Sequence, residues 1–98
     1  MMIDQALIDL ELQGVLWACL TYWSTEPNPF DERVVCYSWV AQCYKDRFDG
    51  TFHQSRLRHL ARLGLLTQDD TSRGGNRRYY RISNPERLGG LLKKWNLN

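Results

Sequence analysis

Residues 51–66 read TFHQSRLRHLARLGLL, and this stretch decides the fold. Thr51 and Gln54 have the spacing of a capping box, in which each side chain bonds to the backbone of the other residue. Leucines then recur at helical spacing, and Gly64 can adopt the left-handed conformation that ends a helix. The stretch therefore predicts a helix over residues 51–63.

The stretch after this helix predicts a β-hairpin over residues 65–82. Two segments with strand-forming residues flank the sequence TSRGGN, which is rich in turn formers. Side chains alternate along a strand, so each position of the second strand has a predicted side. Tyr80 and Ile82 are predicted to face the core, and Tyr79 and Arg81 to face outward.

Three further helices are expected. They cover residues 3–23, residues 29–47 with Asn28 or Asp31 as the N-cap, and residues 85–96 after the start signal Asn84-Pro85-Glu86. A chain of 98 residues is long enough for one modest core. The sequence therefore predicts a single α+β domain, mainly α, over residues 1–98.

Charge is divided unevenly between the two halves of the chain. Residues 1–50 contain eight acidic and three basic residues, for a net −5, whereas residues 51–98 contain three acidic and ten basic residues, for a net +7. Eight of those ten bases are arginine, the residue preferred for planar contact with phosphate or guanine. The basic half indicates a surface for a polyanion, although a solvated face gives the same composition.

Residues 51–82 resemble the winged helix-turn-helix regulators, especially the MarR-like and PadR-like groups. The resemblance lies in the Leu-x-x-x-Gly-Leu-hydrophobic step from Leu60 to Leu66, the Gly/Arg-rich tip and the Arg-Tyr-Tyr-x-hydrophobic return strand. It implies a winged helix-turn-helix with three helices, a β-hairpin wing and a C-terminal helix. It also implies a sequence-specific regulator of transcription that binds double-stranded DNA, and we expect a repressor.

The candidate DNA-binding residues lie on the helix 51–63 and on the wing. Gln54 suits adenine and Arg58 suits guanine in the major groove, and hydroxyl side chains can donate to phosphates. Arginines near the glycines of the wing can enter the minor groove or contact its phosphates. The predicted set is Thr51, Gln54, Ser55, Arg56, Arg58, His59, Arg62, Arg73, Asn76, Arg77 and Arg78.

A homodimer is expected because the first helix is apolar on two faces. One face includes Leu12 and Cys19, and the other includes Leu10 and Trp17. A helix with two apolar faces is buried on two sides, and proteins of this kind usually bind two half-sites as two-fold dimers. The dimer would form through helix 3–23, helix 85–96 or both. The alternative is that these helices cover each other within one chain.

Two other functions are compatible with the sequence. The basic face could dock an acidic protein, which would make the chain a winged-helix adaptor. Tyr79 and Phe52 could instead stack on unpaired bases of RNA or single-stranded DNA. Arginine at both the helix and the wing tip favours the DNA interpretation over the adaptor, which needs only one of these.

Several classes of function are not expected. The sequence contains no HExxH, P-loop or GxGxxG motif and no Ser/His/Asp arrangement, so neither an enzyme nor a cofactor is predicted. Cys36, Cys43, His53 and His59 lack tight metal-ligand spacing, so no metal site is predicted. The two cysteines are interpreted as small buried residues, His53 as an inward or capping residue, and His59 as a phosphate contact.

Two further observations indicate the cellular compartment in which the protein is expected. The three cysteines have no CxxC spacing, which argues against a disulfide framework. No basic region opens the chain, and its longest apolar run, residues 15–20, is far shorter than the roughly 18 to 20 residues of a membrane span. We therefore expect a cytoplasmic protein with no membrane contact.

Overall fold

The computed structural model describes residues 8–25, 34–69 and 78–97, which form four helices and one small sheet. The helices are α1 (Leu10–Thr25), α2 (Tyr37–Arg47), α3 (Ser55–Arg62) and α4 (Pro85–Lys94). The strands are β1 (Val35–Cys36), β2 (Leu66–Asp69) and β3 (Tyr79–Ile82), joined antiparallel in the order β1-β3-β2. The predicted α+β, mainly helical class is confirmed.

Helix α1 begins later than predicted. The Asp9 carboxylate accepts a hydrogen bond from the backbone N–H of Leu12 at 2.8 Å, and this bond satisfies one of the free amides of the first turn. The helix therefore starts at Leu10, not at residue 3, and residues 3–7 lie outside the described part of the chain.

Helix α2 is shorter than the predicted helix 29–47, because a strand occupies part of that range. Val35 and Cys36 pair with Tyr80 and Tyr79 of β3. β-Branched residues favour the extended backbone, and Cys36 is extended, with φ −136° and ψ 166°. The helix can start only after this strand, at Tyr37. The expected N-caps Asn28 and Asp31 lie outside the described residues.

Helix α3 forms within the predicted range 51–63 but starts at Ser55, and the predicted capping box is wrong. Gln54 makes no side-chain cap. Instead, the backbone N–H of Ser55 donates to His53 Nδ1 at 3.1 Å. His53 is therefore an exposed capping residue, and the inward position belongs to Phe52, which is 3% exposed.

The C-terminal end of α3 matches the prediction. Gly64 has φ +81°, a left-handed conformation that costs glycine little. The backbone N–H of Leu65 returns to the carbonyl oxygen of Leu60 at 3.0 Å. This turn directs the chain into β2 immediately after the helix.

The hairpin strands β2 and β3 lie within the predicted wing 65–82, and one predicted side-chain orientation is wrong. Leu66 pairs with Ile82 and Asp69 with Tyr79, and residues 70–77 lie outside the described part. Tyr80 and Ile82 are buried and Arg81 is exposed, as predicted. Tyr79 was expected outside but is 5% exposed.

A small second cluster explains the burial of Tyr79. Its side chain lies on the face of the sheet opposite Tyr80, where it packs with Val34 and Cys36 under the half-buried Trp39. The ring centroids of Trp39 and Tyr79 are 5.8 Å apart. The alternation of side chains holds, but protein covers both faces of this strand at its Tyr79 end, whereas Arg81 remains exposed.

The main core lies between the four helices and the inner face of the sheet. It combines buried side chains from every helix: Leu12, Val15, Leu16 and Cys19 from α1, Val40 from α2, Leu57 and Leu60 from α3, and Leu88 and Leu92 from α4.

Helix α4 ends at Lys94, two residues before the predicted end. Its start is capped as expected by Asn84 Oδ1, which accepts a hydrogen bond from the backbone N–H of Arg87 at 3.1 Å.

Helices α1 and α2 approach each other closely at Gly14. A β-carbon at this position would lie 2.9 Å from Tyr44 Cε2 and 3.2 Å from Phe48 Cε2. Glycine permits this separation because it has no side chain. The ring of Tyr44 then packs against Phe48 and Phe52, with centroid distances of 4.9 and 5.1 Å.

Most of the apolar surface of α1 is buried within the chain. Leu12, Val15 and Cys19 are fully buried and Trp17 is half-buried against the core, whereas Leu10 is 82% exposed. Both faces are therefore largely accounted for by intrachain packing, which is the alternative to a dimer.

No helix in residues 8–25, 34–69 and 78–97 is long and apolar enough to cross a membrane.

Candidate nucleic-acid interface

One side of α3 and its N-cap presents an exposed row formed by Gln54, Arg58 and Arg62, called the α3 outer row. Residues four apart share one face of a helix. Leu57 and Leu60 lie behind the row and are 1% and 0% exposed. The core therefore fixes which side of α3 faces outward, as the spacing predicted.

Arg58 and Arg62 make no ion pair within the described residues. The third arginine of the helix, Arg56, behaves differently. Its Nε lies 2.6 Å from Glu11 Oε1, and its Nη2 lies 3.3 Å from Asp9 Oδ2. Arg56 was predicted to contact DNA, but its guanidinium contacts the acidic start of α1.

Negative charge at this junction also affects a neighbouring phenol. Burial is the main reason that the pKa of Tyr44 is raised, and the carboxylates of Glu11 and Asp9 add to the effect. A phenolate beside two carboxylates is unfavourable. Tyr44 therefore remains a neutral core residue, and the acidic pair is directed at Arg56.

Ser55, Thr51 and His53 make local hydrogen-bond contacts at the start of α3. Ser55 Oγ lies 2.9 Å from His53 Nδ1, and Thr51 Oγ1 lies 3.5 Å from the Tyr37 hydroxyl. His59 is half-buried. Of the predicted residues, Thr51 and Ser55 therefore help to shape the start of α3, in addition to any contact with a phosphate.

The hairpin contributes one arginine, among the described residues, that is exposed and has no ion-pair partner there. Arg78 is exposed and makes no ion pair there. Arg81, by contrast, lies 3.1 Å from Asp69 Oδ2 across the two strands. The predicted residues Arg73, Asn76 and Arg77 lie outside the described part of the chain.

A recess of about 470 Å³ separates α3 from the start of α2 and the start of β3. Its polar lining comes from Tyr37, Ser38, Gln54, Arg58 and Arg78. Its apolar lining comes from Cys36, Leu57 and Tyr80. This space, called the α2–α3 recess, brings together residues that the sequence predicted on two elements: Gln54 and Arg58 on the helix 51–63, and Arg78 on the wing.

Two lining residues of the recess, Tyr37 and Ser38, were not among the predicted site residues. The predicted helix 29–47 placed both well inside a helix, whereas the structure places them in its first turn. The signal that could have found them is the run Val34-Val35-Cys36, which is typical of a strand. A strand at that point forces the helix to begin beside α3. Tyr37 secures the junction, because its hydroxyl donates to the carbonyl oxygen of Phe52 at 2.5 Å.

The described lining of the α2–α3 recess carries positive charge only. None of its described lining residues is acidic, and two are arginines. The first turn of α2 contains no acidic residue and has no side-chain cap, so the positive end of the helix dipole is not neutralised by the described chain.

No group of three or more His, Cys, Asp or Glu side chains suited to a metal ion occurs in residues 8–25, 34–69 and 78–97. Cys19 is fully buried, and burial, with a smaller effect of Cys43, raises the pKa of its thiol. The high pKa keeps Cys19 protonated, which fits a small apolar core residue.

Comparison with protein-family models, with curated proteins and with solved structures gave no match to this chain.

Proposed function

We propose that this chain is a cytoplasmic, winged-helix transcriptional regulator, with repression as its mode, that binds double-stranded DNA in a sequence-specific way. Helix α3 would enter the major groove, and the hairpin β2–β3 would contact the minor groove or the phosphates. The observation that carries the proposal is the α3 outer row with Arg78 beside it: three arginines on one side of the domain without a carboxylate partner in the described residues.

The order of the elements supports the proposed layout. Helix α1, strand β1, helices α2 and α3, and the hairpin β2–β3 follow one another, and β3 lies between β1 and β2 in the sheet. In a winged helix-turn-helix, α3 corresponds to the second helix, whose N-terminal residues contact the edges of bases. Gln54 and Arg58 lie at that end of α3.

Paired and unpaired arginines give the proposal its discriminating test. Arg56 and Arg81 are neutralised by carboxylates of the chain, whereas Arg58 and Arg62 have no carboxylate partner in residues 8–25, 34–69 and 78–97. An arginine that must leave an ion pair gives up part of the energy it gains from a phosphate. The unpaired arginines should therefore dominate binding, although all four carry the same charge.

The test is fluorescence anisotropy with a labelled random duplex at low and moderate salt. We expect binding that weakens steeply with salt, and a slope that decreases by about one for each phosphate contact removed in Arg58→Gln and Arg62→Gln. Lys94→Gln on α4 is the control with an equal loss of charge. Equal effects of all three variants would assign the binding to net charge and refute the proposed face.

Sequence preference requires a second measurement. After selection of a preferred duplex, Arg58→Ala should lose about 1–3 kcal/mol of discrimination at one base position. Arg73→Ala and Arg77→Ala should weaken binding to all sequences alike, because phosphate contacts carry no sequence information. A variant of Arg58 with unchanged preference would remove this residue from base recognition.

If the chain does not bind duplex DNA even at low salt, the alternative function as a protein adaptor is favoured. Binding of a purified acidic peptide would then test that alternative. The alternative of RNA or single-stranded DNA loses its proposed stacking residues, since Phe52 and Tyr79 are 3% and 5% exposed. A preference for duplex over single strand is therefore expected.

We include a two-fold homodimer in the proposal. A small, mainly apolar groove lined by Trp17, Leu20, Leu92 and Leu97 lies between α1 and α4, the helices predicted to form the interface. Sedimentation velocity over a range of concentrations tests this directly. A monomer at all concentrations would refute the dimer without affecting the DNA-binding face.

A further inference from the structure

We propose that the α2–α3 recess is a binding site for a phosphate group, carried by a small phosphorylated molecule or by the backbone of DNA. The second source depends on the function proposed above, and the first does not. The proposal rests on the shape of the recess, on the charges that line it and on the way the fold holds it open.

The recess is built by three elements that the core fixes relative to one another. Leu57 from α3 and Cys36 and Tyr80 from the sheet form its apolar lining, and they are 1%, 1% and 3% exposed. The hydrogen bond from Tyr37 to the backbone of Phe52 ties the start of α2 to the segment before α3. A wall formed by buried residues and a backbone contact changes little when a ligand enters, which lowers the cost of binding.

Positive charge enters the recess from two separate elements. Arg58 lies on α3, and Arg78 is the residue directly before β3. Neither arginine makes an ion pair within the described residues. Two guanidinium groups that share a recess repel each other unless an anion lies between them, and the described lining of this recess contains no carboxylate. Arginine also presents its donors in a planar fork that matches two phosphate oxygens.

Hydroxyl and amide groups complete the polar lining. Ser38 lies in the first turn of α2, where backbone N–H groups have no partner inside the helix. The amide of Gln54 and the hydroxyl of Ser38 can both donate to anionic oxygen. The recess, at about 470 Å³, falls within the roughly 300–1,000 Å³ of small-ligand sites, so there is room for more than the phosphate group itself.

The experiment uses the ¹⁵N-labelled full chain at pH 7 and follows its amide signals by NMR. Sodium phosphate and AMP are added separately, with sodium chloride at equal ionic strength as the reference. We expect saturable shifts of the amides of Ser38 and Gln54. Arg58→Gln and Arg78→Gln should each weaken binding by about tenfold or more, as expected for lost hydrogen bonds to a charged group.

Two further variants separate the site from general electrostatics. Ser38→Glu places a carboxylate in the first turn of α2, a position that favours acidic residues and so preserves the helix, and it should abolish phosphate binding. Lys94→Gln on α4 removes one charge outside the recess and should leave binding unchanged. Shifts that persist in Ser38→Glu, or that vanish in Lys94→Gln, would overturn the proposal.

A duplex titration distinguishes the two sources. Shifts with AMP or inorganic phosphate alone identify a site for a small phosphorylated molecule, even if duplex DNA does not bind. Shifts of the same amides with duplex only identify a backbone contact. Duplex binding that shifts the amides of α3 but leaves Ser38 unaffected, together with no response to phosphate or AMP, would refute the recess site and leave the proposed DNA-binding function intact.

Discussion

Replacement of Gly14 by alanine tests how closely α1 and α2 must approach. A β-carbon at Gly14 would lie 2.9 Å from Tyr44 Cε2, closer than carbon atoms pack without repulsion. The ring of Tyr44 cannot easily retreat, because it packs against Phe48 and Phe52 at centroid distances of 4.9 and 5.1 Å. The added methyl group must therefore separate the helices or displace this aromatic cluster.

Gly90 provides a matched control for the magnitude. It lies in α4, and a β-carbon there would meet nothing within 4 Å. Alanine is favoured over glycine in a helix by about 0.5–1 kcal/mol at either position, but overpacking at residue 14 costs about 1–3 kcal/mol. We expect Gly90→Ala to be more stable than the parent, and Gly14→Ala to be less stable than Gly90→Ala by about 1–3 kcal/mol.

Urea denaturation of the parent and both variants at pH 7 measures this difference. The slope of the free energy of unfolding against urea should be the same in all three proteins, because the surface exposed on unfolding hardly changes. In a thermal scan the difference corresponds to about 4–8 °C per kcal/mol for a domain of this size. Two alanine variants that agree to within about 0.5 kcal/mol would refute the close approach of α1 and α2 at Gly14.

Three other predictions concern single side chains. Asn84→Ala removes the side-chain cap of α4 and should cost about 1 kcal/mol in urea denaturation; no change would show that the cap is dispensable. Arg56→Gln should cost at most about 1 kcal/mol, because its ion pairs are partly exposed. It should weaken duplex binding less than Arg58→Gln, and an equal loss in anisotropy would place Arg56 at the interface. Burial raises the pKa of Cys19, so at pH 8 a thiol reagent should label the less buried Cys43 first, as mass spectrometry would show; equal rates would contradict the burial of Cys19.

Features that depend on local sequence could be predicted. The inward leucines of α3, the left-handed Gly64 and the cap at Asn84 all follow from residues within a few positions of one another. Local side-chain periodicity and backbone preference determine such features directly. For the same reason the α3 outer row could be assigned before the structure was known.

Strand β1 was not predicted. The run Val34-Val35-Cys36 favours an extended backbone, but the extent of a two-residue strand is set by its partner and not by these residues alone. Val35 and Cys36 are extended because they pair with residues more than 40 positions later, Tyr80 and Tyr79. The helical pattern that follows gives no indication of where this pairing stops. The α2–α3 recess was missed for the same reason, since it depends on α2 starting at Tyr37.

Tyr79 shows a different limit of sequence patterns. Alternation correctly places it on the face opposite Tyr80, but alternation does not say whether that face meets water. Here Trp39, supplied by α2, covers it, and Tyr22 of α1 stacks on Trp39 with a centroid distance of 5.2 Å. Burial of a strand on both faces is a property of the whole fold, not of the strand.

Charge composition has the same limitation, and it bears on function. The excess of arginine in residues 51–98 indicates a surface that binds a polyanion. Composition alone does not distinguish an arginine in an ion pair from one without a partner. In the structure Arg56 is neutralised by the acidic start of α1 and Arg81 by Asp69. Arg58, Arg62 and Arg78 make no ion pair with the described residues, and they lie on α3 and beside the recess. The proposed interface therefore follows from which carboxylates the fold brings to which arginines, because an anion competes for a guanidinium only where no internal carboxylate already binds it.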